Sequence, residues 1–501
     1  METRILQDMQ AYIANLSRNL TFVYQAANDS RQSEKLQRTV RAMAIWGTYP
    51  WRSYDYSPKP FGAFRYLSLF LSLPLRIIQG VLYLTLKYIQ YFPYRSFRRI
   101  DYSTKHLGVF SPSLHLREFT DQSYTGFWGK TKFLNENTAS KTAWFLVPFK
   151  PHGNSNRQLV QEIKQVNQES QFKLIPLASF LSLQTLAKAI SSSVSFHVFV
   201  TKLFFHEFTG RQNANRVCWV FDANNLGAGI ARTELNRHLL TVAVARGAQL
   251  KNILHLMEGQ SWEIALNDLA LKSGLCSWGV IHTPLRAKDS QILNYFLKSD
   301  EQSFVERNIR VCCPGRSSLK TLSDLGLPIN QLQIVESQRF IHAQDSKYFT
   351  YSRLSRKVLY VADTNIQTTE QFAKVIASLE GKNENPDLDF FLQPHPSQSH
   401  LEFARLPLVD YLKTSEFGVV IFGPETSSYL QPEFSESNIR VFSPLASSNR
   451  VNSIIPEVQD SGDLENSIES LFKLDKGDDS IILRDDSFEK WRKVIDELFK
   501  P

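Results

Sequence analysis

Only four of the 501 residues are cysteines, and none forms a CxxC pair or a spacing suited to metal ligands. Cys312 and Cys313 are adjacent, an arrangement that rarely closes a disulfide. This excludes a disulfide-stapled scaffold and points to a reducing compartment with no structural metal. The opening METRILQDMQAY lacks the apolar core of a secretory signal, so none is expected. GxxxxGKS/T, HExxH and GxSxG do not occur, and no DxD stands in a metal-site context. Those gaps set aside P-loop, zincin and serine-hydrolase chemistry. There is no repeat of fixed period and no long low-complexity segment, which excludes a solenoid or a linker-rich chain.

A clean membrane-spanning run is also missing. The longest candidate, FGAFRYLSLFLSLPLRIIQGVLYLTLKYIQYFPYRSFRR, is interrupted by Pro74 and Arg76. A spanning helix needs roughly 20 predominantly apolar residues, and a central arginine costs about 2.5–3.5 kcal/mol. An in-plane helix pair, FRYLSLFLSLPL followed by IIQGVLYLTLK, is the cheaper arrangement; a helical hairpin buried within the protein is the alternative. The net charge of +8 is concentrated here. Residues 51–105 hold nine Lys/Arg against Asp55 and Asp101, whereas the remainder balances at 48 against 47. A cationic segment that is also aromatic and apolar suits the acidic surface of a membrane better than nucleic acid, which calls for Lys/Arg spread over a polar face.

What is present is an ordinary globular composition, 43% hydrophobic and 21% charged. That length exceeds a single core, so two or three domains are expected. Residues 1–60 read as a polar helical region and 61–103 as the basic aromatic segment. Beyond them, short apolar runs (HLGVF, AWFLVPF, FKLIPLASF, RVCWVFD, KNILHLME, SWGVIH) alternate with helical patterns such as SNRQLVQEIKQVNQE and ELNRHLLTVAVARGA. Near residue 300 the alternation restarts with NIRVCCPG, KVLYVADT, DFFLQPHP, GVVIFGPE and NIRVFSP. Strands alternating with helices argue an α/β fold of parallel, doubly wound sheets. The expected division is 104–300 and 301–455, two Rossmann-like domains facing a cleft, with 456–501 as a helical tail.

In such sheets ligands bind at the carboxyl ends of the strands. In FFLQPHPSQSH, His395 and Pro396 follow an apolar run directly. A histidine there can bond a phosphate oxygen or protonate a phosphate leaving group; alone it is as well read as an ordinary loop residue. In VVIFGPETSSYL, Thr426, Ser427 and Ser428 stand where a helix would begin. Their N–H and hydroxyl groups suit an anion, and they suit plain helix capping equally. LHLMEGQSWEIAL puts Glu258 at a strand end as a candidate general base, with Trp262 as a flat face for a sugar ring and Glu263 beside it. The competing reading makes Glu258 a helix cap and Trp262 core. GVIHTPLR places His282 and Thr283 at another strand end, lining the cleft. The GAG in RVCWVFDANNLGAGIARTEL lacks full GxGxxG spacing, so NAD binding is not expected.

Together these stretches resemble a bacterial surface-carbohydrate (O-antigen or capsule type) biosynthesis family of GT-B glycosyltransferase architecture. TDQSYTGFWGKTKFL is similar to its aromatic segment at Ser123, Tyr124, Trp128 and Gly129. MEGQSWEIAL is similar to its Glu-x-Gln-Pro-Trp-Glu block at Glu258, Gln260, Trp262 and Glu263, with Ser261 where proline is usual. VIHTPLR matches at His282 and Thr283, and IVESQRF at Glu336 and Arg339. The His-Pro and Ser-Ser elements resemble those of bacterial sialyltransferases and Kdo transferases, with Gln393 where a basic residue is common. The resemblance covers roughly residues 105–445.

It implies a metal-independent, inverting transfer of a sugar from a nucleotide-activated donor, CMP-linked as in the sialyltransferases and Kdo transferases, to a polysaccharide or lipid-linked acceptor at the inner face of the cytoplasmic membrane. His395, Pro396, Thr426, Ser427, Ser428, Glu336 and Arg339 would hold the donor; Glu258 would act as base. No further cofactor and no nucleic acid are expected. A CDP-alcohol phosphotransferase using the same phosphate machinery, and a catalytically inactive scaffold, are the rival readings.

Overall fold

The computed structural model describes residues 63–120, 127–128, 131, 133–148, 155–207, 226–258, 260–282, 309–324, 326–337, 349–351, 355–362, 366–382, 389–394, 415–423, 439–442, 457–458 and 488–499. The helical reading of 1–60 and the strand expected at RVCWVFD lie outside them.

The basic aromatic segment forms one helix, α1 (Ala63–Gln90), followed by a 3-10 turn, Phe92–Arg99. It is not the expected pair of helices: Pro74 sits inside α1 without ending it. An interior proline costs roughly 3 kcal/mol, and tertiary packing offsets that cost. One face of α1, with Leu73 and Leu84 buried, docks on two helices introduced below.

The first sheet grows from β1 (Leu107–Pro112) and β2 (Thr142–Val147), both buried along their whole length. Such unbroken runs mark strands covered on both faces, and β1 and β2 are parallel. Then follow α2 (Asn156–Glu169), closed at its start by a Ser155/Gln158 capping box, and β3 (Lys173–Pro176). Next come α3 (Leu183–Glu207), α4 (Ala228–Arg246), β4 (Asn252–Leu256), α5 (Ser261–Lys272) and β5 (Cys276–Val280). The helices beneath α1 are α3 and α4.

The same sheet continues with β6 (Ile309–Cys313), α6 (Arg316–Asp324) and β7 (Leu332–Ile334). Its order is β3-β2-β1-β4-β5-β6-β7, all parallel. The first unit therefore runs past the boundary set at residue 300. β6 pairs with β5 from Ile309 to Cys312, and a restart in local pattern does not reveal which strand a run pairs with.

The second sheet has its own core. After β8 (Phe349–Tyr351), it comprises β9 (Lys357–Val361), α7 (Ile366–Lys382), β10 (Asp389–Gln393), β12 (Val419–Phe422), β13 (Ile439–Phe442) and β14 (Glu457–Val458). Here β11 (Ser415–Phe417) pairs with β8 as a separate ribbon. The order is β10-β9-β12-β13-β14, again parallel. Tyr360 stacks on Phe372 at 4.0 Å in a cluster with Val358, Phe390, Leu392 and Ile421. Two successive parallel sheets, each with its own apolar cluster, make this an α/β fold of two units.

The last helix, α8 (Glu489–Leu498), belongs to the first core instead of trailing as a tail. Trp491 and Val494 are fully buried there, and Asn252 Nδ2 donates to the Leu498 carbonyl at 2.6 Å.

Two histidines are sealed in the first unit. His197 joins α3 to the start of α4: its Nδ1–H donates to the Ser193 carbonyl at 2.7 Å and Nε2 accepts the Gly227 N–H at 2.8 Å. His255 on β4 lies 3.0 Å from Asn267 Oδ1. Burial pushes both pKa values below the ordinary range and keeps the rings neutral. In the unfolded chain each protonates near pH 6.5, so the unfolded state binds more protons below that pH. Their contribution is full above about pH 6.5 and is lost as pH falls toward the folded pKa values. Urea unfolding should show stability falling between pH 6.5 and 5.5 with a slope of up to about 1.4 kcal/mol per pH unit for each ring. A flat profile in that window would contradict the neutral assignment.

Candidate functional site

In a sheet of order 3-2-1-4-5-6 the crossovers change side between strands 1 and 4, leaving a crevice at their carboxyl ends. In the first sheet that gap lies between β1 and β4. Glu258 stands two residues beyond β4, so the sheet's topology places it at the switch point. His282 stands two residues beyond the neighbouring β5.

The structure brings these two together. His282 Nε2 is 3.5 Å from Glu258 Oε1. The other carboxylate oxygen, Oε2, accepts from Gln260 Nε2 at 2.6 Å, and Gln260 Oε1 accepts from the Trp262 indole at 2.7 Å. The Phe127 ring meets the His282 ring edge-on at 4.4 Å. Side-chain exposure is 23% for Glu258 and 12% for His282, enough to reach solvent while most of each group is enclosed. A carboxylate held from one side by an amide and from the other by an imidazole is aimed, and it can accept a proton from a hydroxyl brought to its open side.

Glu263 holds this loop in place. It is the third residue of α5, and its Oε2 accepts the backbone N–H of Glu258 at 2.9 Å and of Gln260 at 3.2 Å. The carboxylate thus satisfies donors at a helix N-terminus, where negative charge is favoured. Being fully buried, it does not line an acceptor surface as expected from sequence. Trp262 is corrected likewise. At 4% exposure, with its indole committed to Gln260 and its ring against His255, it has no open face for a sugar.

Glu336 also differs from expectation. Its two carboxylate oxygens accept the backbone N–H groups of Lys490 and Trp491 at 2.8 and 3.0 Å. Its own carbonyl accepts the Trp491 indole at 2.8 Å. Phe488, the residue before α8, supplies no side-chain cap. Glu336 supplies that cap from 152 residues away, and its carboxylate is occupied by α8 rather than by a donor nucleotide. Trp128 is core: its indole donates to Ser111 Oγ at 2.9 Å at the end of β1, and its backbone N–H donates to Glu118.

The expected phosphate-binding residues His395, Pro396, Thr426, Ser427 and Ser428 lie outside the described residues. So do Arg339, Thr283, Ser123, Tyr124 and Gly129. The strands that lead to the first group are described. Order 2-1-3-4-5 in the second sheet puts its switch point between β9 and β12, and β10 flanks β9 on the other side. Val361 pairs with both Gln393 and Phe422, so the three strands end level.

Gln260 and Phe127 are contributions that sequence reasoning left without a role. The signal for Gln260 was present: residues 258, 260 and 263 bracket a helix start, so a side chain at 260 has a short path back to 258. Phe127 carried no signal of its own. The GAG stretch proves structural, with Gly227 at φ 74° opening α4. Among the described residues no His/Cys/Asp/Glu cluster could hold a metal ion. A cavity of about 360 Å³ between Gly274, Cys276, Arg310 and Gln331 sits at the amino ends of the strands, opposite this chemistry.

No family model matches the chain, and no curated protein does. Among solved structures it is similar to the UDP-GlcNAc 2-epimerase of Methanocaldococcus jannaschii, at 8% identity and a TM-score of 0.43, covering 78% of this chain and 99% of that one. It is similar also to the UDP-GlcNAc 2-epimerase of Neisseria meningitidis bound to UDP-GlcNAc, at 10% identity and 0.40, covering 79% and 100%. A GtfA/B complex follows at 10% identity and 0.31, covering 53% and 60%.

Proposed function

We propose that this protein is a glycosyltransferase of bacterial surface polysaccharide biosynthesis that uses a nucleotide-activated sugar. The reading is carried by Glu258, a carboxylate oriented by Gln260 and His282 at the switch point of a parallel sheet. In the reaction, the acceptor hydroxyl oxygen attacks the anomeric carbon of the donor while Glu258 takes its proton. The bond from that carbon to the phosphate oxygen breaks, with inversion. His395 protonates or hydrogen-bonds the departing phosphate, Thr426, Ser427 and Ser428 hold it through N–H and O–H groups, and Pro396 and Arg339 complete the donor site. On this reading the phosphate is neutralised by these groups without a resident metal. His282 and Thr283 border the acceptor. The segment 61–99 keeps the enzyme at the inner face of the cytoplasmic membrane beside a lipid-linked acceptor, raising its local concentration.

Thermal unfolding with CMP, CDP, UDP, GDP and ADP, run beside His395→Ala, tests the donor side. A ligand at a hundred times its dissociation constant adds about 2.7 kcal/mol. One nucleotide should raise the Tm of the parent and fail to raise that of the variant. No shift with any nucleotide would count against the reading and favour an inactive scaffold.

A further inference from the structure

The side of α1 turned away from the protein is apolar. Leu71, Leu75, Ile78, Leu82, Leu86 and Ile89 are each more than half exposed. With 3.6 residues per turn they fall within an arc of about 80°, and at 1.5 Å per residue the stripe is about 27 Å long. Phe92, 60% exposed, prolongs it. On the opposite face a Cβ at Gly80 would meet the Gly227 carbonyl oxygen at 3.2 Å, so α1 rests closely on the helices beneath it. A contiguous aliphatic surface of this length marks an interaction site.

Charge decides between occupants. From Ala63 to Ile100 the chain has six Lys/Arg (Arg65, Arg76, Lys87, Arg95, Arg98, Arg99) and no Asp or Glu. The Arg95 guanidinium lies 4.4 Å from the ring centre of Phe92 and 4.8 Å from that of Tyr88, where the stripe ends. Arg98 and Arg99 are exposed just beyond. A second copy pairing along the stripe would set two such segments side by side with no carboxylate in either. Among the described residues no helix is long and apolar enough to cross a membrane, and the docked face of α1 is closed to lipid. An anionic bilayer surface offers both an apolar layer and negative groups in one plane.

Building on the membrane attachment in the proposed function, we propose that α1 is an in-plane docking surface for an anionic lipid bilayer. The stripe from Leu71 to Phe92 enters the boundary between head groups and acyl chains. Arg95, Arg98 and Arg99 sit in the phosphate layer, with the helix axis parallel to the membrane.

Co-sedimentation of the full chain with vesicles of phosphatidylcholine, alone or mixed with phosphatidylglycerol, tests this. The protein should bind the mixed vesicles and lose binding as salt rises. Leu75→Glu with Leu82→Glu, both at exposed positions, should drop sedimentation to the vesicle-free level at unchanged Tm. Arg98→Ala with Arg99→Ala should lower partitioning roughly 30-fold at low salt, from about 1 kcal/mol per basic residue. Absence of binding to mixed vesicles, or undiminished binding of the double glutamate variant, would overturn the proposal. So would a dimer in solution that the same variant dissolves, since a second copy would then occupy the stripe. Nucleotide stabilisation is read without vesicles, so failure here leaves the transferase reading standing, and failure there leaves this one.

Discussion

Glu258→Gln is expected to lower the rate of sugar transfer by roughly 10²–10⁴-fold, the usual range for removing a general base. The change is nearly isosteric and keeps an oxygen to accept from Gln260 Nε2. The loop itself is held through backbone groups by Glu263. Fold and donor binding should therefore survive: Tm and the nucleotide-induced shift should match the parent. Activity within tenfold of the parent would remove Glu258 from this role, whatever the stability. A concurrent fall in Tm would reassign it to holding the loop.

Trp491→Ala should cost about 3–5 kcal/mol, as large-to-small changes of a buried aromatic do. The ring is fully buried and lies 5.1 Å from the Phe133 ring centre. Truncation leaves a cavity and strips the Glu336 carbonyl of its indole donor. Because α8 is bound to the first core through this residue, denaturant unfolding should show the loss in the main transition. Lys493→Ala is the control on the same helix. Lys493 pairs with Glu489 where both side chains are 67% exposed, so its removal should leave stability close to the parent's. A Trp491→Ala cost as small as the control's would mean that α8 is peripheral to the fold.

Legibility in the sequence varied with the range of the interaction. The strands at HLGVF, AWFLVPF, KNILHLME and GVVIFGPE could be read because burial on both faces demands an unbroken apolar run. Placing Glu258 at a strand end required only that reading. Its partnership with His282 did not follow, since the two are 24 residues apart and meet only because β4 and β5 are neighbours. Trp262 and Glu336 were misread for one reason. A tryptophan or glutamate beside a strand end looks the same in sequence whether it faces the site, the core or an incoming helix.

By itself the sequence determined the α/β class, the strand ends where polar residues gather, and the charge and apolarity of residues 61–99. These rest on local properties: periodicity, composition and turn chemistry within a few residues. Only the tertiary structure decided the strand orders that locate the two switch points, the membership of β6 and β7 in the first sheet and the return of α8. It alone decided that α1 is one helix with a docked face and a free one. Each of these is a choice of partner between distant segments, settled by which pairing buries the most apolar surface while satisfying its polar groups.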